Sequence, residues 1–148
     1  MSENKRPDRR RAARELALQA LYQLHMNNDT ATNVEAEFLA EQDFKNADKR
    51  MFSAILRGVA KQTDELDAMV AEHLDRALTD LDPIERNILR MGAFELSDSV
   101  AVPYRVVINE CVELGKLFGA TDGHKYVNGI LDKLAAHHRQ TEIAARKS

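Results

Sequence analysis

Residues 81–96, LDPIERNILRMGAFEL, carry the signals that decide the fold. Asp82, Pro83 and Glu85 stand as an acidic N-cap, a first-turn proline and an N3 glutamate, the composition of a capping box. Proline suits the first helical position because its missing N–H would be unpaired there anyway. Downstream, Ile84, Ile88, Leu89 and Leu96 recur at helical rather than strand spacing. The stretch predicts a helix that starts at Asp82.

The same period runs outward in both directions. Upstream, Ala13, Leu16, Ala17, Ala20, Leu21 and Leu24 form the apolar stripe of a first helix that follows Pro7. A short helix is expected over about 32–40, with Val34, Phe38 and Leu39. Another runs from about Ala47 through Met51, Ile55, Leu56 and Val59, and continues or kinks through Leu66, Met69, Val70 and Leu74. Downstream, Pro103 opens a helix with Val107, Ile108, Cys111, Leu114 and Phe118, ended by Gly119 as a C′ residue. A last helix starts near Asp122 and carries Val127, Ile130, Leu131 and Leu134. From Arg139 the chain reads as a polar tail that frays. Gly58, Gly92, Gly115 and Gly129 fall inside these helices, where each costs about 1 kcal/mol relative to alanine; close helix crossings account for them. The best strand candidate, SVAVPYRVVI, is split by a proline. The fold class is all-α, a compact helical bundle.

The chain has 148 residues, enough for one domain with a core of its own. Its single cysteine, Cys111, allows no internal disulfide, which fits a reducing, cytoplasmic setting. No apolar run approaches the roughly 20 residues of a membrane span, and no signal-peptide core is present, so no membrane partner is expected. The formal charge of −3 hides an asymmetry. In residues 1–14, six bases (Lys5, Arg6, Arg9, Arg10, Arg11, Arg14) oppose two acids (Glu3, Asp8), a net +4. Residues 1–8 read as a flexible basic arm, and the rest of the chain is acidic. Such polarity suits a polyanionic partner at one end and a basic one elsewhere.

Catalytic chemistry is not legible. His25, His73, His124, His137 and His138 make no H-E-x-x-H pair, and neighbouring His137 and His138 point about 100° apart on a helix. Cys111 lies on an apolar stripe, as a small core residue would. There is no phosphate-cradling glycine loop and no G-x-S-x-G elbow. The sequence reads as a binding protein rather than an enzyme, with no metal and no cofactor.

The first helix offers two readings: a nucleic-acid surface, or Tyr22 and Leu18 packed under another helix with the arginines merely solvated. Arg9, Arg10, Arg11 and Arg14 crowd a helix N-terminus, where each cation opposes the helix dipole by roughly 0.3–1 kcal/mol. On a helical wheel Tyr22 falls away from the apolar stripe, aligned with Arg11, Glu15 and Leu18, with Gln19 at the edge of that face. Guanidinium groups pair with phosphates and an exposed ring offers a platform for an unstacked base. A second patch, GATDGHKYVNG, places Lys125 and Tyr126 in the first turns of the last helix.

RRRAARELALQALYQL (9–24), LDPIERNILRMGAFEL (81–96) and VPYRVVINECVELGKLFGATDGHKYVNGILDKL (102–134), in this order and spacing, closely resemble the NusB family of bacterial transcription antitermination factors. The resemblance covers about Arg9 to Leu134 and leaves out the N-terminal extension and the tail. It implies an all-helical protein of two small subdomains sharing one core, here about 9–80 and 81–138 of a domain spanning 9–138, with a polar tail over 139–148. It also implies binding of boxA-type single-stranded RNA, including ribosomal RNA leaders, together with the small-subunit ribosomal protein NusE, in support of processive transcription within the RNA polymerase antitermination complex. Carried over by position, the RNA-binding residues are Arg9, Arg10, Arg11, Arg14, Gln19, Tyr22, Lys125 and Tyr126. Glu85 and Asp122 are the candidates for docking NusE, their charge suiting a basic partner. A homodimer is compatible with the sequence.

Two other readings compete. The Pro103–Phe118 helix, the GATDG turn and the last helix could form a DNA-binding helix-turn-helix, but Asp122 at the second helix's start and the scarcity of arginine nearby count against it. A purely structural adaptor would use the acidic face alone and be indifferent to charge reversal at Arg10 and Arg11.

Overall fold

The computed structural model describes residues 6–147, with the side chains of 9–146. Residues 1–5 of the basic arm lie outside the described residues. The first helix already takes in Arg6, Pro7 and Asp8, so the backbone of 6–8 is helical where an arm was expected. Every described element is helical: α1 (Arg6–Asn27), α2 (Ala31–Glu41), α3 (Lys49–Lys61), α4 (Thr63–Ala71), a 3₁₀ turn (Leu78–Asp80), α5 (Pro83–Asp98), α6 (Tyr104–Phe118), α7 (Gly123–His138) and α8 (Gln140–Lys147). The chain divides into two compact units at Lys61/Gln62 rather than near residue 80.

In the first unit α1 packs along α3 and α2. Its core joins Ala13, Ala17, Leu18, Ala20 and Leu21 of α1 to Val34 and Phe38 of α2 and to Phe52, Ile55, Leu56 and Val59 of α3. Phe52 anchors an aromatic cluster, stacked on Phe38 at 5.8 Å and meeting the edge of Phe44 at 5.0 Å. Asn28, at φ 51°, ends α1 in the left-handed region that asparagine tolerates. Thr30 then caps α2, its hydroxyl accepting the Asn33 N–H at 3.1 Å.

In the second unit α5 is the central helix, packed on α4, α6 and α7. Asp82 caps it as expected, accepting the Ile84 N–H at 2.7 Å. The reciprocal half of the capping box is absent: Glu85 turns away to accept the Ala120 N–H at 3.3 Å. Residues 87–96 are buried without a break, polar ones included. Arg90 is satisfied there by a fork onto Asp67 of α4 (2.6 and 2.9 Å) and by Asn87 (3.2 Å). That ion pair, with Leu66 and Val70 buried, ties α4 to α5 and explains why the boundary precedes α4.

Close crossings account for two of the helical glycines. A Cβ on Gly92 would lie 2.6 Å from Leu131 Cδ2 and 3.3 Å from Cys111 Sγ, and one on Gly115 would lie 3.0 Å from His124 Cβ. Gly129 is different, because nothing lies near it. Gly119 follows α6 with extended backbone (φ −87°, ψ 179°) rather than as a left-handed C′ residue.

The tail beyond residue 139 also departs from expectation. Arg139 is only 4% exposed and α8 follows it. Its guanidinium donates to the carbonyls of Leu96 (2.8 Å), Glu95 (3.1 Å), Ser99 (3.0 Å) and Val102 (3.0 Å), and to Glu142 Oε1 (2.6 Å). The carbonyls of Glu95, Leu96 and Ser99 end α5, the negative pole of its dipole, and that of Val102 lies in the segment before α6. Glu142 Oε2 in turn accepts the N–H of Tyr104, the first residue of α6. Fraying was expected from polarity, but these polar groups complete two helix ends.

Candidate nucleic-acid interface

On α1 of the first unit, the exposed face reads Arg11, Glu15, Gln19, Tyr22 and Met26, with Glu15 only partly exposed. At 100° per residue these five fall within an arc of about 80°, along about 22 Å of helix. Tyr22 is 37% exposed, so its ring is available, and Arg10 is exposed at the N-terminal end. Met26, 54% exposed one turn beyond Tyr22, was missed by the sequence reading although its spacing of four from Tyr22 places it on that stripe.

Three of the expected placements are corrected. Leu18 is fully buried and belongs to the core, not to the face of Arg11 and Tyr22. Arg14 is 3% exposed, because it shares a stripe with Ala17, Leu18 and Leu21 at spacings of three, four and seven; it is no exposed phosphate ligand. Arg9 is partly buried and tied to its own unit, donating to the carbonyls of Lys45 (3.1 Å) and Ala47 (3.4 Å) while its own carbonyl accepts the Asp48 N–H. It braces the segment entering α3.

The second unit presents the other patch. Lys125 is exposed and pairs with Asp122 at 3.4 Å. Tyr126 is partly exposed, and its hydroxyl donates to Asp75 Oδ1 at 2.9 Å. Arg76 lies over the ring, 4.5 Å from its centroid. Neither Asp75 nor Arg76 was foreseen, since no local pattern links the segment after α4 to a residue some 50 positions on.

Of the two carboxylates expected at a partner surface, Asp122 is exposed and holds φ 67°, the αL turn into α7. Glu85 is 9% exposed and engaged within the chain, with its carboxylate against Ala120 N–H and the Cα of Gly123. A side chain on Gly123 would collide with that carboxylate.

The histidine rings of residues 137 and 138 do not diverge as the wheel suggested; they meet edge to face with centroids 4.8 Å apart. Among the described residues no group of three or more His, Cys, Asp or Glu is placed to hold a metal ion, and no helix is long and apolar enough to cross a membrane. Cys111 is buried with Sγ 3.9 Å from the Ile88 carbonyl.

The sequence model of the NusB family matches residues 11–136. A transcription antitermination protein NusB of Hahella chejuensis is 54% identical over 145 residues, covering 98% of this chain and 97% of its own length. One from a Marinomonas species is 51% identical over 149 residues, covering 97% and 86%. Among solved structures, T. maritima NusB is similar with a TM-score of 0.77 at 27% identity, over 93% of this chain and 94% of that one. A crystal structure of antitermination factors NusB and NusE in complex with dsRNA also gives 0.77, at 25% identity over 86% and 96%. With the arginines and ring of α1, the helix order and the extent of these matches in view, the chain belongs to the NusB family.

Proposed function

We propose that this protein is an RNA-binding transcription antitermination factor, not an enzyme, that binds boxA-type single-stranded RNA together with NusE. In that role it supports processive transcription by RNA polymerase, notably of ribosomal RNA operons. The observation that carries the reading is the exposed stripe of α1, where Arg10 and Arg11 open a face that continues through Gln19 to the ring of Tyr22. Two exposed guanidinium groups in line with a side-chain amide and a ring suit a phosphate backbone and an unstacked base. Lys125 and Tyr126 offer the same pairing of cation and ring in the second unit. The solved relative named with NusE and dsRNA supports NusE and RNA as partners. Asp122, the exposed member of the acidic pair, is the contact we assign to NusE.

The test is a titration of boxA-like single-stranded RNA, with and without NusE, and of duplex DNA of the same sequence, at two salt concentrations. Three to four neutralised phosphates give a slope of log K against log salt of about −2 to −3, using about −0.7 per phosphate of a single strand. Tyr22→Ala is expected to weaken binding by about 1–3 kcal/mol through loss of a base-stacking platform. A change below a few tenths, with helicity intact, would remove Tyr22 from the site. Preference for duplex DNA over RNA of the same sequence would favour the helix-turn-helix reading instead.

A further inference from the structure

We propose that Arg76 is a further RNA-binding residue: a guanidinium laid on the Tyr126 ring and oriented by Asp75, which grips a backbone phosphate beside the base that the ring receives. The inference rests on the RNA-binding reading of Tyr126 and adds a residue outside the arginine-rich helix.

The geometry is that of a prepared ligand. Arg76 and Asp75 lie in the segment between α4 and the 3₁₀ turn, and Tyr126 lies in the second turn of α7. A single carboxylate oxygen, Asp75 Oδ1, accepts both the Arg76 Nε–H at 3.0 Å and the Tyr126 hydroxyl at 2.9 Å. The guanidinium carbon sits 4.5 Å from the ring centroid, inside the range of a cation–π contact. One oxygen thus fixes the cation and the ring in register. The Arg76 hydrogen bond, then that of Tyr126, holds the Asp75 carboxyl below its ordinary value, so this bracket stays ionised at neutral pH.

A surface ion pair between adjacent residues stabilises a fold very little. What the arrangement does is immobilise a long side chain before any ligand arrives, which lowers the ordering cost of binding. Asp75 takes one of the five guanidinium donors, and half of the Arg76 side chain remains exposed. The terminal N–H groups are therefore open to a forked contact with phosphate oxygens. A ring and a fork this close match a nucleotide, which brings a base and a phosphate together, better than an isolated anion. Exposed Lys125, next to Tyr126, supplies a second cation for the neighbouring phosphate.

The experiment uses the full chain and a boxA-like single-stranded RNA, titrated at two salt concentrations, with thermal melts to check folding. Arg76→Ala is expected to weaken binding about 10-fold and to reduce the magnitude of the salt slope by about 0.7, one phosphate. Arg76→Lys should restore the slope but only part of the affinity, because an ammonium neither forks nor stacks as a guanidinium does. Unchanged affinity in Arg76→Ala, alongside weakened Arg10 and Arg11 variants, would overturn the inference while leaving the RNA-binding reading standing. Loss of affinity with an unchanged slope would also overturn it, since a phosphate contact must release counterions. Failure of the unaltered chain to bind RNA would instead overturn the reading beneath it.

Discussion

Replacing Arg139 with alanine is expected to destabilise the fold by about 3 kcal/mol, the scale of losing a buried cation's hydrogen bonds. For a chain of this length that corresponds to a fall in melting temperature of about 10 °C. The effect is large because one guanidinium satisfies four carbonyls and a carboxylate. Its removal takes the guanidinium donor from the Leu96 and Val102 carbonyls and leaves those of Glu95 and Ser99 with only the backbone N–H groups of Ser99 and Val102; a buried acceptor left unpaired costs about 1–3 kcal/mol unless the chain opens to let water in. Opening would be read as selective loss of amide protection over 95–103 and in α8, before the rest of the second unit. A loss under about 1 kcal/mol in urea denaturation would show that solvent already reaches these carbonyls.

Glu142 gives the same bracket a pH dependence. Burial alone would lift its carboxyl, but the Tyr104 N–H and the Arg139 guanidinium outweigh burial and hold it below its ordinary 4.5. A lowered folded-state value means that its stabilisation is complete above 4.5 and is lost as pH falls through the lowered value. The difference in stability between the parent and Glu142→Gln should therefore be present at neutral pH and shrink in acid. A difference that stays constant through that range would show that the carboxylate's charge is not what matters at the start of α6.

These residues mark the limit of what the sequence states. Helix period and the Asp82-Pro83 start were legible because each depends on neighbours within four residues. Tyr22 was legible for the same reason, since a wheel places it away from Ala13 and Ala17 whatever they pack against. Arg139, Arg90 and Asp75 were not, because a charged side chain is buried or bracketed by groups that the fold delivers from 23 to 51 residues away. Glu85 shows how local grammar can mislead: its position is that of a capping-box glutamate, yet the Ala120 N–H, 35 residues on, competes successfully for its carboxylate. Arg14 is the instructive miss. Charge grouped it with Arg9, Arg10 and Arg11, whereas its period grouped it with Leu18 and Leu21, and period decided its burial.

That distinction sharpens the second large effect. Reversing Arg10 and Arg11 together to glutamate is expected to weaken RNA binding roughly 100-fold at moderate salt. Each lost phosphate contact removes about 0.7 of the salt exponent, and two new anions add repulsion from the strand. The same change should leave the fold largely intact, because both side chains are exposed on the surface of α1. Affinity should thus fall without a matching loss of stability, which simple misfolding of the variant could not produce. Arg14→Glu makes the contrast complete: its side chain is buried, so the substitution should lower the melting temperature first and RNA binding only through loss of the folded state. If the Arg10/Arg11 pair instead proved as destabilising as Arg14→Glu and as ineffective on binding per folded molecule, the cations of α1 would belong to the protein's own packing rather than to an RNA.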